Sequence, residues 1–123
     1  MNAEKFKSAY SESRNGTDGF TRSFVRTFLL SDGVKECAEA GCYWLTDIAA
    51  TELPKALRKT AESLGCLRVK VGKGKAKMIL TGSGDVKLWS KSIAYTDMPD
   101  GDWMFYIAND GDGVIKMILP TEY

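Results

Sequence analysis

Basic side chains cluster in one short stretch of the chain that contains no acidic residue. Their positions are Arg68, Lys70, Lys73, Lys75 and Lys77. Because side chains two positions apart on a strand share one face of a sheet, a hairpin here predicts a positive surface suited to phosphate groups or to an acidic protein. An ordinary solvated face is the competing interpretation, since lysines protect sheet edges from pairing and no aromatic residue interrupts the cluster to stack on a base. The sequence leaves both interpretations open.

Acidic side chains form a second cluster nearer the C-terminal end, with no basic residue inside it. Its members are Asp97, Asp100, Asp102, Asp110 and Asp112. They fall on two turns that flank one predicted strand, and adjacent turns of a meander lie at opposite ends of a sheet, so the two groups need not converge. Ordinary turn chemistry explains the segment, because Asn, Asp and Gly tolerate positive φ. The functional alternative is an acidic patch that mimics phosphate toward a basic partner.

Most enzyme and metal chemistries are excluded by what the chain lacks. It contains no histidine, which removes Ser-His-Asp and Cys-His sites, histidine-bound zinc and an imidazole base. Cys37, Cys42 and Cys66 form no Cys-x-x-Cys pair and are interpreted as small core residues of a reduced protein. No glycine pattern matches a phosphate-binding loop, a dinucleotide fingerprint or an EF-hand. We therefore expect no cofactor, no metal and no enzymatic activity.

The elements that must position these residues change character near Gly65. Residues 1–65 are predicted to be mainly helical, since apolar residues recur at helical spacing and Ser31 before Asp32 is typical of a helix N-cap. Residues 66–123 alternate between apolar and polar side chains, which predicts strands with one face on a core. The expected fold class is α+β, with N-terminal helices packed on one face of a four- to five-stranded antiparallel meander sheet.

Turn and cap signals set the expected boundaries. Pro54 is predicted to break a helix and Gly65 to cap one. Over residues 20–29 the apolar spacing favours a helix, although Phe, Thr and Val there also suit a strand. The other expected helices cover residues 2–10, 32–41, 42–53 and 55–64. The expected strands cover residues 67–71, 76–80, 86–95, 103–108 and 114–119.

Length and composition are typical of one small domain, residues 1–123. The 44% hydrophobic and 27% charged residues are far from the signature of disorder. Seventeen basic and sixteen acidic side chains give a net charge of +1, so no overall field selects a nucleic-acid or membrane partner. No apolar run reaches the roughly 20 residues of a membrane-spanning helix and no signal-like segment follows the first residues, so we expect a cytoplasmic protein.

Three separated segments, in order along the chain, carry a resemblance to a known family. The first is residues 29–35 (Leu-Leu-Ser-Asp-Gly-Val-Lys), which continues through residues 38–49, and the others are residues 95–99 (Tyr-Thr-Asp-Met-Pro) and 119–123 (Leu-Pro-Thr-Glu-Tyr). They resemble a small bacterial family known only as a domain of unknown function, over about residues 20–123. The resemblance implies a single small domain, often carried on plasmids, phages and other mobile elements, and it supplies no catalytic or binding residue. The basic hairpin and the N-terminal helix are the expected departures from the family pattern.

The functional hypothesis combines these exclusions with the resemblance. A small, nearly neutral protein of phage or mobile-element type is expected to be a non-enzymatic inhibitor that binds a host defence complex, similar to an anti-CRISPR protein, and occludes a charged groove. The acidic turns are the first candidates for that surface and the basic hairpin is the second. The alternative is a nucleic-acid-binding accessory protein that uses Arg68, Lys70, Lys73, Lys75 and Lys77.

Overall fold

Three α-helices and seven strands make up the fold within residues 1–12, 19–60 and 62–123, the part of the chain that the structure, a computed structural model, describes. The helices are α1 (Ala3–Ser11), α2 (Asp32–Cys37) and α3 (Tyr43–Thr60). The strands are β1 (Phe20–Arg22), β2 (Phe28–Ser31), β3 (Leu64–Gly72), β4 (Lys75–Thr81), β5 (Lys87–Ile93), β6 (Gly101–Asn109) and β7 (Ile115–Ile118). A π-type turn, Ala38–Cys42, joins α2 to α3, and short 3₁₀ turns cover Ser83–Asp85 and Pro120–Glu122. None of the helices described is long and apolar enough to cross a membrane.

The seven described strands form one mixed sheet in the order β1-β2-β7-β6-β3-β4-β5. Neighbours are antiparallel except β2 and β7, which run parallel. The α+β class is confirmed, whereas the expected four to five antiparallel strands are corrected to seven strands with one parallel pair. β1 and β2 have only three and four residues, too few for a period of two to be told from helical spacing. The pairing of β2 with β7 joins distant parts of the chain and leaves no local signal.

Helix α3 runs through Pro54, so the boundary predicted there is wrong. A proline inside a helix removes one backbone hydrogen bond and costs about 3 kcal/mol. The helix continues because its apolar side lies against the sheet, where Leu53 and Leu57 are fully buried. Burial of two leucines is worth about 3–6 kcal/mol, which offsets the proline. The helix predicted over residues 55–64 ends at Thr60, and residue 61 lies outside the described residues.

Two glycines that were predicted to end helices behave differently. The break expected near Gly41 is confirmed, because this residue has a φ of 124° inside the turn between α2 and α3. Gly65, in contrast, is no helix cap and lies in β3 opposite Ile107. A Cβ at Gly65 would lie 2.9 Å from Leu80 Cδ1 and 3.2 Å from Leu57 Cδ2. Gly65 is therefore needed for the close packing of α3 against the sheet.

Among residues 1–12, 19–60 and 62–123, the α-helices lie on one face of the sheet and none lies on the opposite face. On the helix side, the ring of Trp103 in β6 lies 5.0 Å from those of Phe6 and Tyr10 in α1. Farther along the sheet, Trp89 in β5 donates a hydrogen bond to Glu52 in α3 at 3.3 Å. Alternate residues of β3 and β4 are buried on this side, and those between them are exposed or half-buried. The predicted alternation of these two strands is thus confirmed.

A buried carboxylate connects the C-terminal segment to the start of α2. Glu122, only 4% exposed, accepts hydrogen bonds from Ser31 Oγ at 2.5 Å, from the Gly33 N–H at 3.0 Å and from the Leu119 N–H at 2.9 Å. Ser31 also accepts from the Val34 N–H at 3.2 Å, which confirms the N-cap predicted from the sequence. We refer to these contacts as the Glu122 clamp.

Candidate functional site

The side of the sheet opposite the helices is partly exposed, and we call it the open face. Strand alternation and cross-strand register define its members, since facing residues of paired strands point to the same side. On β3, β4, β6 and β7 they are Cys66, Arg68, Lys70, Lys75, Lys77, Ile79, Asp102, Met104, Tyr106, Ala108, Lys116 and Ile118. The open face therefore combines charged with apolar and aromatic side chains.

The basic residues singled out in the sequence meet on the open face. Arg68 and Lys70 come from β3, Lys75 and Lys77 from β4, and Lys73 lies in the turn between these strands. Lys70 lies directly opposite Lys77 of β4, an arrangement of like charges that destabilises a sheet, and opposite Asp102 of β6 on its other side. All five residues are exposed. Their convergence gives this end of the open face a concentrated positive charge.

Few acidic groups compensate that charge. Arg68 Nη1 lies 3.8 Å from Asp102 Oδ2, and both side chains are about half exposed, 51% and 50%, so this ion pair is weak. Within residues 1–12, 19–60 and 62–123, no carboxylate lies within 4.0 Å of the four lysine ammonium groups. Lysines without a protein partner remain available to an external anion.

A shallow depression lies among three of these lysines. Its volume is about 440 Å³, and it is lined by Lys70, Gly72, Lys75, Ala76, Lys77, Ser92, Ile93 and Ala94. Gly72 faces Lys75 across the hairpin, and a Cβ on Gly72 would have no atom within 4 Å. The missing side chain thus leaves room between ammonium groups, and a phosphate is an anion of suitable size and charge for that space.

The acidic residues before and at the start of β6 are separated from one another by their contacts. The Met1 ammonium donates to Asp97 Oδ2 at 2.7 Å, and this hydrogen bond lowers the pKa of Asp97. Asp102 lies on the open face beside Arg68, and Asp100 is exposed in the preceding loop. The carboxylates at this end therefore do not point to a common site.

The other two acidic residues lie beyond the far end of β6. Asp112 accepts a hydrogen bond from the Val114 N–H at 3.0 Å, and Asp110 Oδ2 lies 3.7 Å from Lys116 Nζ. Asp110 lies eight residue steps beyond Asp102, which corresponds to about 26 Å along a strand. The acidic turns consequently form no single surface. Across the described residues, no group of three or more cysteine, aspartate or glutamate side chains is arranged to bind a metal.

Aromatic side chains on the open face are the functional candidates that sequence reasoning missed. Tyr106 lies opposite Cys66, one strand away from the basic cluster, and its ring centroid is 4.9 Å from that of Tyr123. No aromatic residue interrupts the basic segment itself, and this absence was the argument from sequence against base stacking there. Strand alternation alone places Tyr106 on the outward side of β6. Only the pairing of β6 with β3 brings it beside the basic residues.

The cysteines differ sharply in their surroundings, and all three are present as thiols. Burial, together with the nearby Asp97 carboxylate, raises the pKa of Cys42 to about 12. Burial also raises the pKa of Cys66, although Arg68 opposes that shift. Cys37 and Cys42 are buried, in agreement with a core role, whereas Cys66 is partly exposed on the open face. The prediction of three core cysteines is therefore wrong for Cys66.

We expect alkylation of the folded protein to modify Cys66 selectively. At pH ~8 only about 10⁻⁴ of Cys42 groups would be thiolate, the reactive form, and burial blocks access to Cys37 and Cys42. Iodoacetamide labelling followed by peptide mass spectrometry measures the three rates. In urea all three thiols should react at similar rates. Equal rates in the folded protein would contradict the burial described here.

The fold is an α+β domain with helices on one side of a seven-stranded mixed sheet, and comparison with protein families places it in a known group. Residues 4–123 match the family of unknown function DUF6876, so the chain belongs to that family. No curated protein and no solved structure gives a significant match to this chain. The match begins at residue 4 and includes α1, which corrects the expectation that the N-terminal helix is an addition to the family pattern.

The segments that carried the resemblance have structural positions in the fold. Residues 29–35 and 119–123 meet in the Glu122 clamp. Residues 95–99 fix the connection before β6, where the Thr96 N–H donates to the Gly74 carbonyl at 2.8 Å. The Pro99 carbonyl accepts a hydrogen bond from Trp103 Nε1 at 2.9 Å. These motifs therefore stabilise the fold, and Tyr123 at the end of the last one also contacts Tyr106 on the open face.

Proposed function

We propose that this protein binds nucleic acid, without catalysis, through the basic end of the open face. The proposal rests on four exposed lysines that lie in one region, on β3, on β4 and in the turn between them. Among the described residues, no carboxylate lies within 4.0 Å of their ammonium groups. Exposed lysines suit phosphate oxygens because each contact releases counterions condensed on the polyanion. Asp102 is the one acidic residue of the open face as defined above.

The arrangement of Lys70 and Lys77 supports a polyanionic ligand. Their side chains extend from facing positions of β3 and β4, and mutual repulsion makes that pair unfavourable in the free protein. An anion between them removes the repulsion and gains two charge-assisted contacts. The depression beside Gly72 provides the space for such an anion. Since the molecule carries a net charge of only +1, the attraction is local to this region.

Inhibition of a host defence complex through the acidic turns stays a prediction. A target of that kind would meet two small acidic groups at opposite ends of β6, with Asp97, Asp110 and Asp112 already engaged in contacts within the protein. The basic end of the open face is, by comparison, continuous and largely uncompensated. For this reason the geometry favours the nucleic-acid hypothesis.

Salt dependence is the experiment that tests the proposal. If four lysines contact phosphates, the logarithm of affinity for a single strand should fall with a slope of about −2.8 against the logarithm of salt concentration. An increase from about 50 to about 200 mM salt should therefore weaken binding about 50-fold. Fluorescence anisotropy of labelled oligo-dT and of a duplex of equal length measures both affinities. Absence of binding to either probe at about 50 mM salt would refute the proposal.

A further inference from the structure

The open face carries an aromatic end next to its basic end. Tyr106 is half-buried and Tyr123 is 74% exposed, with their rings tilted by 51°. On the same side of the sheet, the exposed ring of Phe20 in β1 lies 5.2 Å from Lys116 Nζ. These rings have accessible edges or faces beyond what the core requires. Their position on an uncovered sheet, and not in a closed pocket, suits flat ligands that stack.

The register gives the separation between the aromatic and the basic ends. Tyr106 faces Cys66, which precedes Arg68 by two residues and Lys70 by four. With a rise of about 3.3 Å per residue, these distances are about 7 and 13 Å along β3. A short run of nucleotides covers such a distance, with its bases at the tyrosines and its phosphates at the basic residues. Met104, on the same face between them, provides an apolar surface.

We propose that the ligand is single-stranded nucleic acid, with bases stacked on Tyr106 and Tyr123 and the backbone on the lysines. This inference rests on the proposed function and adds the class of nucleic acid. Bases in a duplex are paired and stacked on each other, so their faces are not accessible to the tyrosines, whereas each unpaired base has a free face. The sheet surface also presents no helix for insertion into a major groove.

Removal of the two rings tests the inference. Each stacked base contributes about 1–3 kcal/mol, or about 5- to 150-fold in affinity. In Tyr106→Leu/Tyr123→Leu, we therefore expect affinity for oligo-dT to fall at least tenfold, with affinity for a duplex of equal length unchanged. Leucine keeps apolar cover over Ile118, and thermal unfolding confirms that the variant is folded. Tyr43→Leu, on the half-exposed ring at the start of α3, is the matched control and should bind normally.

The outcomes separate this inference from the proposed function. In one outcome, the double tyrosine variant binds oligo-dT normally while Lys70→Glu/Lys77→Glu loses binding. That pair of results would overturn base stacking on the tyrosines and would leave the basic interface supported. Wild-type binding of duplex as tight as that of oligo-dT would also overturn it. Failure of the wild-type protein to bind either probe would refute both proposals.

Discussion

Charge reversal at the centre of the basic cluster should nearly abolish nucleic-acid binding. In Lys70→Glu/Lys77→Glu, loss of two of four phosphate contacts reduces the salt slope from about −2.8 to about −1.4. At about 50 mM salt that change alone corresponds to about 60-fold weaker binding, and repulsion between the new carboxylates and phosphate adds to it. Anisotropy titration with labelled oligo-dT, at several salt concentrations, measures both the affinity and the slope.

A control with the same net charge distinguishes a local surface from a general charge effect. Lys7→Glu/Lys55→Glu reverses two exposed lysines on α1 and α3, the helix side of the molecule. Each reversal changes the charge by −2, so both double variants go from +1 to −3. We expect the helix-side variant to bind within about twofold of the wild type. An equal loss in the two variants would contradict a role for the open face.

The single substitution Lys77→Glu separates binding from stability, and it belongs to the same test. It replaces the repulsive Lys70–Lys77 pair with an attractive one, so the free energy of unfolding should rise by about 0.2–1 kcal/mol. Loss of one phosphate contact should at the same time weaken binding about eightfold at about 50 mM salt. A variant that is more stable and binds less well cannot owe its weaker binding to misfolding.

Removal of the Glu122 carboxylate should produce the largest loss of stability. Glu122→Ala leaves the Ser31 hydroxyl and two backbone N–H groups, those of Gly33 and Leu119, without their acceptor. Each buried donor left without a partner costs about 1–3 kcal/mol. We expect the free energy of unfolding to fall by about 3–5 kcal/mol and the melting temperature by about 10 °C or more.

Urea unfolding followed by circular dichroism measures this effect, and an exposed glutamate provides the comparison. Glu39 lies 3.9 Å from Lys35 on the surface, with both side chains substantially exposed, so Glu39→Ala should change stability by less than about 0.5 kcal/mol. If Glu122→Ala also changed stability by less than about 1 kcal/mol, the clamp would not be a major stabilising contact.

The sequence predicted those parts of the fold whose signals are local. Apolar and polar residues alternate in β3 and β4 because each strand has a buried and an exposed side. The Ser31 N-cap was predictable because its hydroxyl accepts a hydrogen bond from an N–H of the first helical turn that has no partner within the helix. Pro54 was misread because packing of Leu53 and Leu57 outweighs its local preference. The parallel pairing of β2 with β7 was missed because it is a long-range contact between short strands.

The candidate site shows the same limit. The sequence identified the five basic residues, and a two-residue period was enough to place most of them on one side of a hairpin. It did not show that β6 is the other neighbour of β3, which brings Tyr106 beside the cluster. For the acidic residues, the sequence indicated that the two turns lie at opposite ends of one strand, and β6 does separate Asp102 from Asp110. Long-range strand pairing, which the sequence does not show, is what adds the aromatic residue to the site.

Protection of Cys66 is the most direct test of the central claim that nucleic acid binds on the open face. This thiol lies opposite Tyr106 across β3 and β6 and two residues before Arg68 on β3, while Cys37 and Cys42 are buried. With saturating oligo-dT at low salt, the rate of Cys66 alkylation should fall at least about tenfold, and protection should disappear as salt releases the strand. An unchanged alkylation rate, with bound oligo-dT verified by anisotropy, would show that the strand binds elsewhere and would contradict the assignment of this surface.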